Sequence, residues 1–200
     1  MSSGEQSLSG LWRPAILLFL VMTILTGLIY PLVITGIAWV AFPSQAGGSL
    51  VERNGTVAGS MLIGQDMTSP GYFHGRPSAV NYAADGSGAS NLGPTNPSFI
   101  NLTKERVNLV RHENRLAATD PVPADLVLAS GSGLDPHISA EAALLQVPRV
   151  AAARDLPEED VRALVLSHVE SSFLGIWSRD RVNVLGLNMA LDALDGRFGD

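Results

Sequence analysis

Cysteine is absent from the 200 residues, and lysine occurs once, at Lys104. The first absence excludes disulfides, thiolate metal sites and a cysteine nucleophile, and leaves the redox compartment open. The second bears on nucleotide chemistry. A phosphate-cradling loop of the form G-x-x-x-x-G-K-[ST] needs its lysine beside a glycine turn, and Lys104 stands in no such loop. Gly131-Ser132-Gly133 fails the G-x-G-x-x-G spacing, because Pro136 holds the third glycine's place. No self-sufficient nucleotide site is written as a motif. Charge is scarce as well: charged residues make up 16% of the chain, and the formal net charge is -6. Glu5 and Arg13 cancel, so the whole negative balance lies beyond the N-terminal segment. An acidic domain lacks the clustered Lys and Arg that phosphate backbones require, and nucleic acid is not an expected partner.

What the chain has in abundance is a long apolar run. No charged residue occurs over 14–51, and residues 15–42 are apolar almost throughout. A helix needs about 20 apolar residues to cross a hydrocarbon core of roughly 30 Å, and this run exceeds that. Thr23, Thr26 and Thr35 can return their hydroxyls to the helix's own carbonyls, and Trp12, Trp39 and Phe42 lie near the ends, where amphipathic rings settle. Pro31 removes one backbone hydrogen bond, so a kink is expected there. Gly27 and Gly36 leave shallow patches suited to close helix contact. A cleaved secretory segment has an apolar stretch of about 7–15 residues, much shorter than this one, so a retained anchor is expected. Arg13 flanks one end, whereas Glu52 and Arg53 cancel beyond the other. The positive-inside rule then puts the N-terminus in the cytoplasm and the main domain outside. The expected organisation is a short tail over 1–13, a transmembrane helix over 14–42, and an extracytoplasmic soluble domain over 43–200.

The soluble part opens with short β-like pieces over 48–51 and 56–63, inside a Gly-, Pro-, Ser- and Asn-rich stretch. Tyr72, Phe73, Tyr82 and Leu92 are interspersed there, which argues for an ordered loop layer with apolar anchors. Asn96 and Pro97 open a helix on which Leu102, Leu109 and Leu116 recur at spacing seven, with Ile100 and Val107 beside them. Ser139 caps a further helix that Pro148 is expected to interrupt. Another begins near Pro157, with Glu158, Glu159 and Asp160 favouring its dipole and Val161, Leu164, Val165, His168 and Val169 as its buried face. Residues 182–187 alternate as a strand, and Asn188 is placed to cap a last helix. The fold class is α+β: one transmembrane helix, then a mixed helix and sheet domain with an irregular Gly/Pro-rich layer.

Few side chains assemble into chemistry. Ser132 lacks the flanking glycines of a nucleophile elbow, since Ser130 and Leu134 hold those positions. Asp135, His137 and Glu141 are too few for a committed transition-metal site, and His74 is read as a histidine that fixes a loop by hydrogen bonding. No catalytic residue and no metal ligand is assigned. The residues point to an accessory or binding protein.

Several strings together resemble the C subunit of the bacterial Kdp-type potassium-transporting ATPase. They are Arg13-Pro14 before the apolar run, with Tyr30-Pro31-Leu32 inside it; Gly59-Ser60-Met61-Leu62-Ile63-Gly64-Gln65; and Tyr72-Phe73-His74-Gly75-Arg76-Pro77-Ser78. Ser90-Asn91-Leu92-Gly93-Pro94-Thr95-Asn96-Pro97, the run over 130–139, Gln146-Val147-Pro148-Arg149-Val150-Ala151 and Val182-Asn183-Val184-Leu185-Gly186-Leu187-Asn188 complete the series. The resemblance implies an inner-membrane accessory subunit of a high-affinity potassium uptake complex. Its partners would be a channel-like potassium-binding subunit, a P-type ATPase subunit and a very small hydrophobic subunit, within the lipid bilayer. The family role is assembly, together with catalytic chaperoning that raises the ATPase subunit's affinity for ATP. No cofactor is expected to be held firmly. A transient ternary complex with ATP has been proposed for the family, and direct contact would be sought at Gln65, Gly86, Gly88, Ser90, Asn91 and Gln146. A domain outside the membrane cannot touch cytoplasmic ATP, so with this topology the effect on ATP affinity is expected to be allosteric.

Overall fold

The apolar run folds as one helical rod, Trp12–Ala41, of 30 residues. At about 1.5 Å per residue it is long enough to cross a bilayer with length to spare. It has apolar side chains on every side, and none of its most apolar window is buried. A soluble core helix buries such a surface, whereas a membrane span presents it to lipid.

The rod is not uniform. Helix α1 (Trp12–Ile24) passes into a π-helical turn, Leu25–Ile29, before α2 (Tyr30–Ala41) resumes the regular register. In the wide turn the Tyr30 N–H reaches back to Leu25 O. The cause is Pro31, whose ring would clash with the carbonyl four residues earlier, at Gly27, and which offers no N–H to it. The irregularity expected at this proline is thus realised as a wide turn ahead of it. A short helix α3 (Pro43–Ala46) follows.

The computed structural model describes residues 10–53, 55–171 and 179–196; positions 1–9 of the expected tail lie outside the described residues. The chain forms two compact units, one ending at Ser49 and the other beginning at Leu50. The second unit opens with a hairpin of β1 (Leu50–Arg53) and β2 (Thr56–Ser60). Its register shifts between Val51 and Glu52, where Ala58 is the extra residue of a bulge. The strands lie slightly differently from the sequence expectation: β2 stops at Ser60, because Ser60 O and Oγ accept the N–H groups of Ile63 and Leu62 in a turn.

Helix α4 (Pro97–Glu113) starts where Asn96 accepts the Ser98 N–H at 2.8 Å. The face on which its leucines recur is not the one most deeply buried, however. Leu109 and Ile100 are exposed, while Val110 is buried and Val107 packs against the core. The inward face belongs to Thr103, Val107, Val110 and Asn114, which follow one another at steps of four, three and four.

A three-stranded antiparallel sheet has the order β3–β5–β4, from β3 (His137–Ser139), β4 (Val169–Glu170) and β5 (Arg181–Asn183). Helix α5 (Ala140–Arg154) runs from β3, capped by Ser139 accepting the Ala142 N–H at 3.1 Å. It continues through Pro148 as one element and ends at Asp155, which adopts the left-handed conformation. Helix α6 (Glu158–Ser167) carries the acidic first turn as expected and buries Val161 and Val165; Val169 belongs to β4, and His168 is the C-cap.

The last helix corrects the sequence reading. Strand β5 ends at Asn183, and α7 (Val184–Leu194) begins at once, with Asn183 Oδ1 accepting the Gly186 N–H at 3.0 Å. The run over 182–187 alternates, but Val184, Leu185, Leu187 and Leu191 suit a buried helix face equally. Asn188 therefore lies inside the helix rather than capping it. The hydrophobic core gathers Ala142, Val147 and Val150 of α5, Val161 and Val165 of α6, Leu187 and Leu191 of α7, and Phe73 from the loop layer.

Candidate functional site

The loop layer over 61–96 owes its order to side chains of α5 and α7. Phe73 is fully buried, with no ladder partner for its backbone. Asn188 supplies both missing partners: its Oδ1 accepts the Phe73 N–H at 2.8 Å, and its Nδ2 donates to Phe73 O at 3.0 Å. Gln146 does the same for His74, accepting its N–H at 2.8 Å and donating to its carbonyl at 3.2 Å. Two neighbouring residues of irregular chain are thus held by two buried amides in place of a strand. Buried backbone groups must find such partners or cost free energy.

Two arginines of α5 extend the clamp. Arg149 donates to Pro70 O at 2.6 Å and to Tyr72 O at 3.1 Å, and its Nη2 lies 2.6 Å from Gln146 Oε1. Burial pushes the Arg149 guanidinium below its ordinary pKa, with Glu113 opposing. Arg154 donates to Gly71 O at 2.6 Å and lies over the Tyr72 ring, 4.5 Å from its centroid. The Arg154 side chain is wholly buried and meets Asp192 and Asp195, each at 2.7 Å. Asp192 also receives Arg53 at 2.9 Å and the Tyr72 hydroxyl at 3.1 Å. One α7 carboxylate therefore joins the hairpin, the loop layer and α5.

Above this frame lies a cleft of about 290 Å³ between the loop layer and α4. His74, Arg76 and Tyr82 line one side, Arg106, Glu113 and Asn114 the other, with Gln146 among them. The His74 ring lies 3.1 Å from Ser69 O and 3.6 Å from Glu113. Burial, and then the Arg149 charge, lowers its pKa, so the ring is neutral at physiological pH. Arg76 is neutralised by Asp135 at 3.1 Å. Arg106 donates to Val127 O at 3.1 Å, and burial lowers its pKa. Among the described residues it has no carboxylate within ion-pair distance, which gives the cleft one uncompensated cation beside the acids Asp66 and Glu113. The Asp135 carboxyl feels burial first, which raises its pKa, but hydrogen bonds from His137 and the nearby Arg76 outweigh it and hold the group low.

The structure does not bring the sequence candidates together. Gln146 has both ends of its amide occupied inside the domain, its Nε2 also reaching Ala142 O at 3.2 Å. Gln65 donates to Ala58 O at 2.9 Å and rests on Gly59, where a Cβ would collide with it. Gly88 donates its N–H to Ser132 O at 2.8 Å, and Gly86 donates to Ala83 O at 3.1 Å. Their loop packs over Gly133, whose φ of +69° and closeness to Val80 and Gly88 O admit only glycine. Ser90 and Asn91 lie exposed, Asn91 in the left-handed region. His74 holds its loop as expected. Asn188, Arg154 and Asp192 were missed. A signal existed for Arg154, because it follows Gln146 and Val150 at helical spacing on the buried stripe of α5.

A family model described as "K+-transporting ATPase, c chain" matches residues 12–193. A protein of Methylobacterium nodulans named potassium-transporting ATPase KdpC subunit is 52% identical over 199 residues, spanning 92% of this chain and 98% of that one. Proteins of the same name from Bradyrhizobium diazoefficiens and Polaromonas naphthalenivorans are each 53% identical, over 90% and 91% of this chain and 95% and 94% of their own lengths.

Proposed function

This chain belongs to the family of the K+-transporting ATPase c chain, and from that premise we propose that it is a non-catalytic assembly and regulatory subunit. Its helical rod spans the inner membrane beside the helices of a channel-like potassium-binding subunit, a P-type ATPase subunit and a small hydrophobic subunit. Arg13 stays on the cytoplasmic side, and the domain that begins at Leu50 stands outside. It raises the ATPase subunit's affinity for ATP without touching the nucleotide, by a coupling through the span of the usual 1–3 kcal/mol, roughly 5–150-fold.

The observation that carries this reading is the employment of the nucleotide-like features. The Gly88 N–H and the Gln146 amide hold the domain together, so neither is offered to a phosphate. The test is purification of the potassium-stimulated ATPase from cells lacking this chain. The expected result is a poor yield of complex whose remaining activity needs roughly tenfold more ATP for half-saturation. A complex recovered in full, with unchanged ATP dependence, would contradict the role.

A second reading, direct ATP binding in a ternary complex with the ATPase subunit, is favoured by one feature: the Arg106 cation in a cleft large enough for part of a nucleotide. Saturable photolabelling of this chain by an azido-ATP, lost on Arg106→Ala, would favour it over allosteric coupling.

A further inference from the structure

Among the described residues, the wide turn leaves one main-chain acceptor, Thr26 O, without a donor. In a regular helix Thr26 O would receive the Tyr30 N–H, but that group is directed to Leu25 O. In the widened register the donor would be residue 31, and Pro31 has none. The Thr26 hydroxyl is turned the other way, donating to Met22 O at 2.6 Å. The next residue is Gly27, and a Cβ built there meets nothing within 4 Å, so the backbone of this turn is open to close approach. Its neighbours Ile24, Leu25, Leu28 and Ile29 are apolar and exposed. Hydrocarbon supplies no water to such a carbonyl, and an unsatisfied one is costly there.

We propose that the Thr26–Gly27 turn docks a transmembrane helix of a partner subunit, one whose hydroxyl or amide side chain donates a hydrogen bond to Thr26 O. The inference rests on the reading of this chain as a subunit of a larger membrane complex. The partner is a different chain. A second copy crossing at Gly27 would bring its own Thr26 hydroxyl nearest, and that hydroxyl is already committed to Met22 O. Gly27 permits the approach and the orphaned carbonyl fixes its depth, a division of labour that small residues and polar groups share at helix contacts in membranes.

The test uses the intact complex, purified through a tag on another subunit, with this chain wild type, Gly27→Leu or Gly36→Leu. Gly36 also has open space around it but no orphaned carbonyl beside it, so it serves as the control. The expected result is about tenfold less Gly27→Leu chain retained in mild detergent, with Gly36→Leu close to wild type. A ¹³C=¹⁸O label at the Thr26 carbonyl gives an independent readout. Its amide I band should lie lower in the complex than in the isolated chain, and Pro31→Ala should lower it in the isolated chain by restoring an N–H. Failure of the wild-type chain to co-purify would sink the subunit reading and this inference with it. Equal retention of Gly27→Leu, an unchanged Thr26 band, or a Gly27-dependent contact only between copies of this chain would overturn the docking turn and leave the subunit reading standing.

Discussion

Replacing Asp192 by leucine is expected to destabilise the soluble domain by about 3 kcal/mol, the lower part of the range for breaking a buried ion pair by removing one partner. The Arg154 side chain is fully buried, and Asp192 is only 3% exposed. Loss of the carboxylate leaves the guanidinium in the interior with Asp195 as its remaining carboxylate, which is why the upper part of the range is not expected. Tyr72 and Arg53 lose their shared acceptor at the same time. Urea unfolding of the full chain in detergent, followed by circular dichroism, measures the effect. The contrast is Glu170→Gln, which removes an exposed pair with Arg181 in which both side chains are half exposed; it should cost no more than about 0.5 kcal/mol. Pairing Asp192→Leu with Arg154→Met should recover part of the loss, because the cost lies in the uncompensated charge. Equal effects of Asp192→Leu and Glu170→Gln would show that the buried cluster does not hold the domain together.

Asn188→Leu should be of similar size, by another route. It preserves volume and removes both partners of the Phe73 backbone, in a place where Phe73 is wholly buried. Each unsatisfied group costs about 1–3 kcal/mol, so roughly 2–6 kcal/mol is expected in all. The loss has a location as well as a size. Hydrogen exchange should show the Phe73 amide and its neighbours over 70–76 opening well before α5 and α6 do. Gln146→Leu should loosen the same segment, but less, because His74 is only partly buried. Unchanged exchange at Phe73 in Asn188→Leu would mean that the loop layer is ordered by something other than the amide clamp.

These two residues also mark the limit of what the sequence could tell. The long apolar helix was legible because an unbroken apolar run of that length has few other forms, and the caps Asn96 and Ser139 were legible because their chemistry is local. The apolar anchors Tyr72 and Phe73 correctly marked the Gly-rich stretch as ordered. What holds them was not legible. An asparagine four residues into a helix gives no sign that it will meet a backbone 115 positions away. Residues 182–187 satisfied strand and helix patterns alike, and the choice fell to Asn183, whose side chain closed the first turn of α7. The apolar face of α4 was legible only in part: it includes Val107, but Leu109 and Ile100 are exposed and tertiary packing turned Val110 inward instead. For the candidate site, the sequence singled out Gln146 but not its employment, which depends on where the loop layer returns.

Everything proposed about ATP depends on which side of the membrane the domain occupies. The absence of cysteine makes that directly measurable, because any thiol introduced is unique in the chain. Single substitutions at exposed Ser90 and Glu105 would report on the domain, and one at Ser3 on the tail. Intact spheroplasts treated with a membrane-impermeant maleimide should label Ser90→Cys and Glu105→Cys fully, and Ser3→Cys only after lysis. The reverse pattern, with the domain labelled only after lysis, would put it beside the nucleotide and contradict an allosteric role exerted from outside.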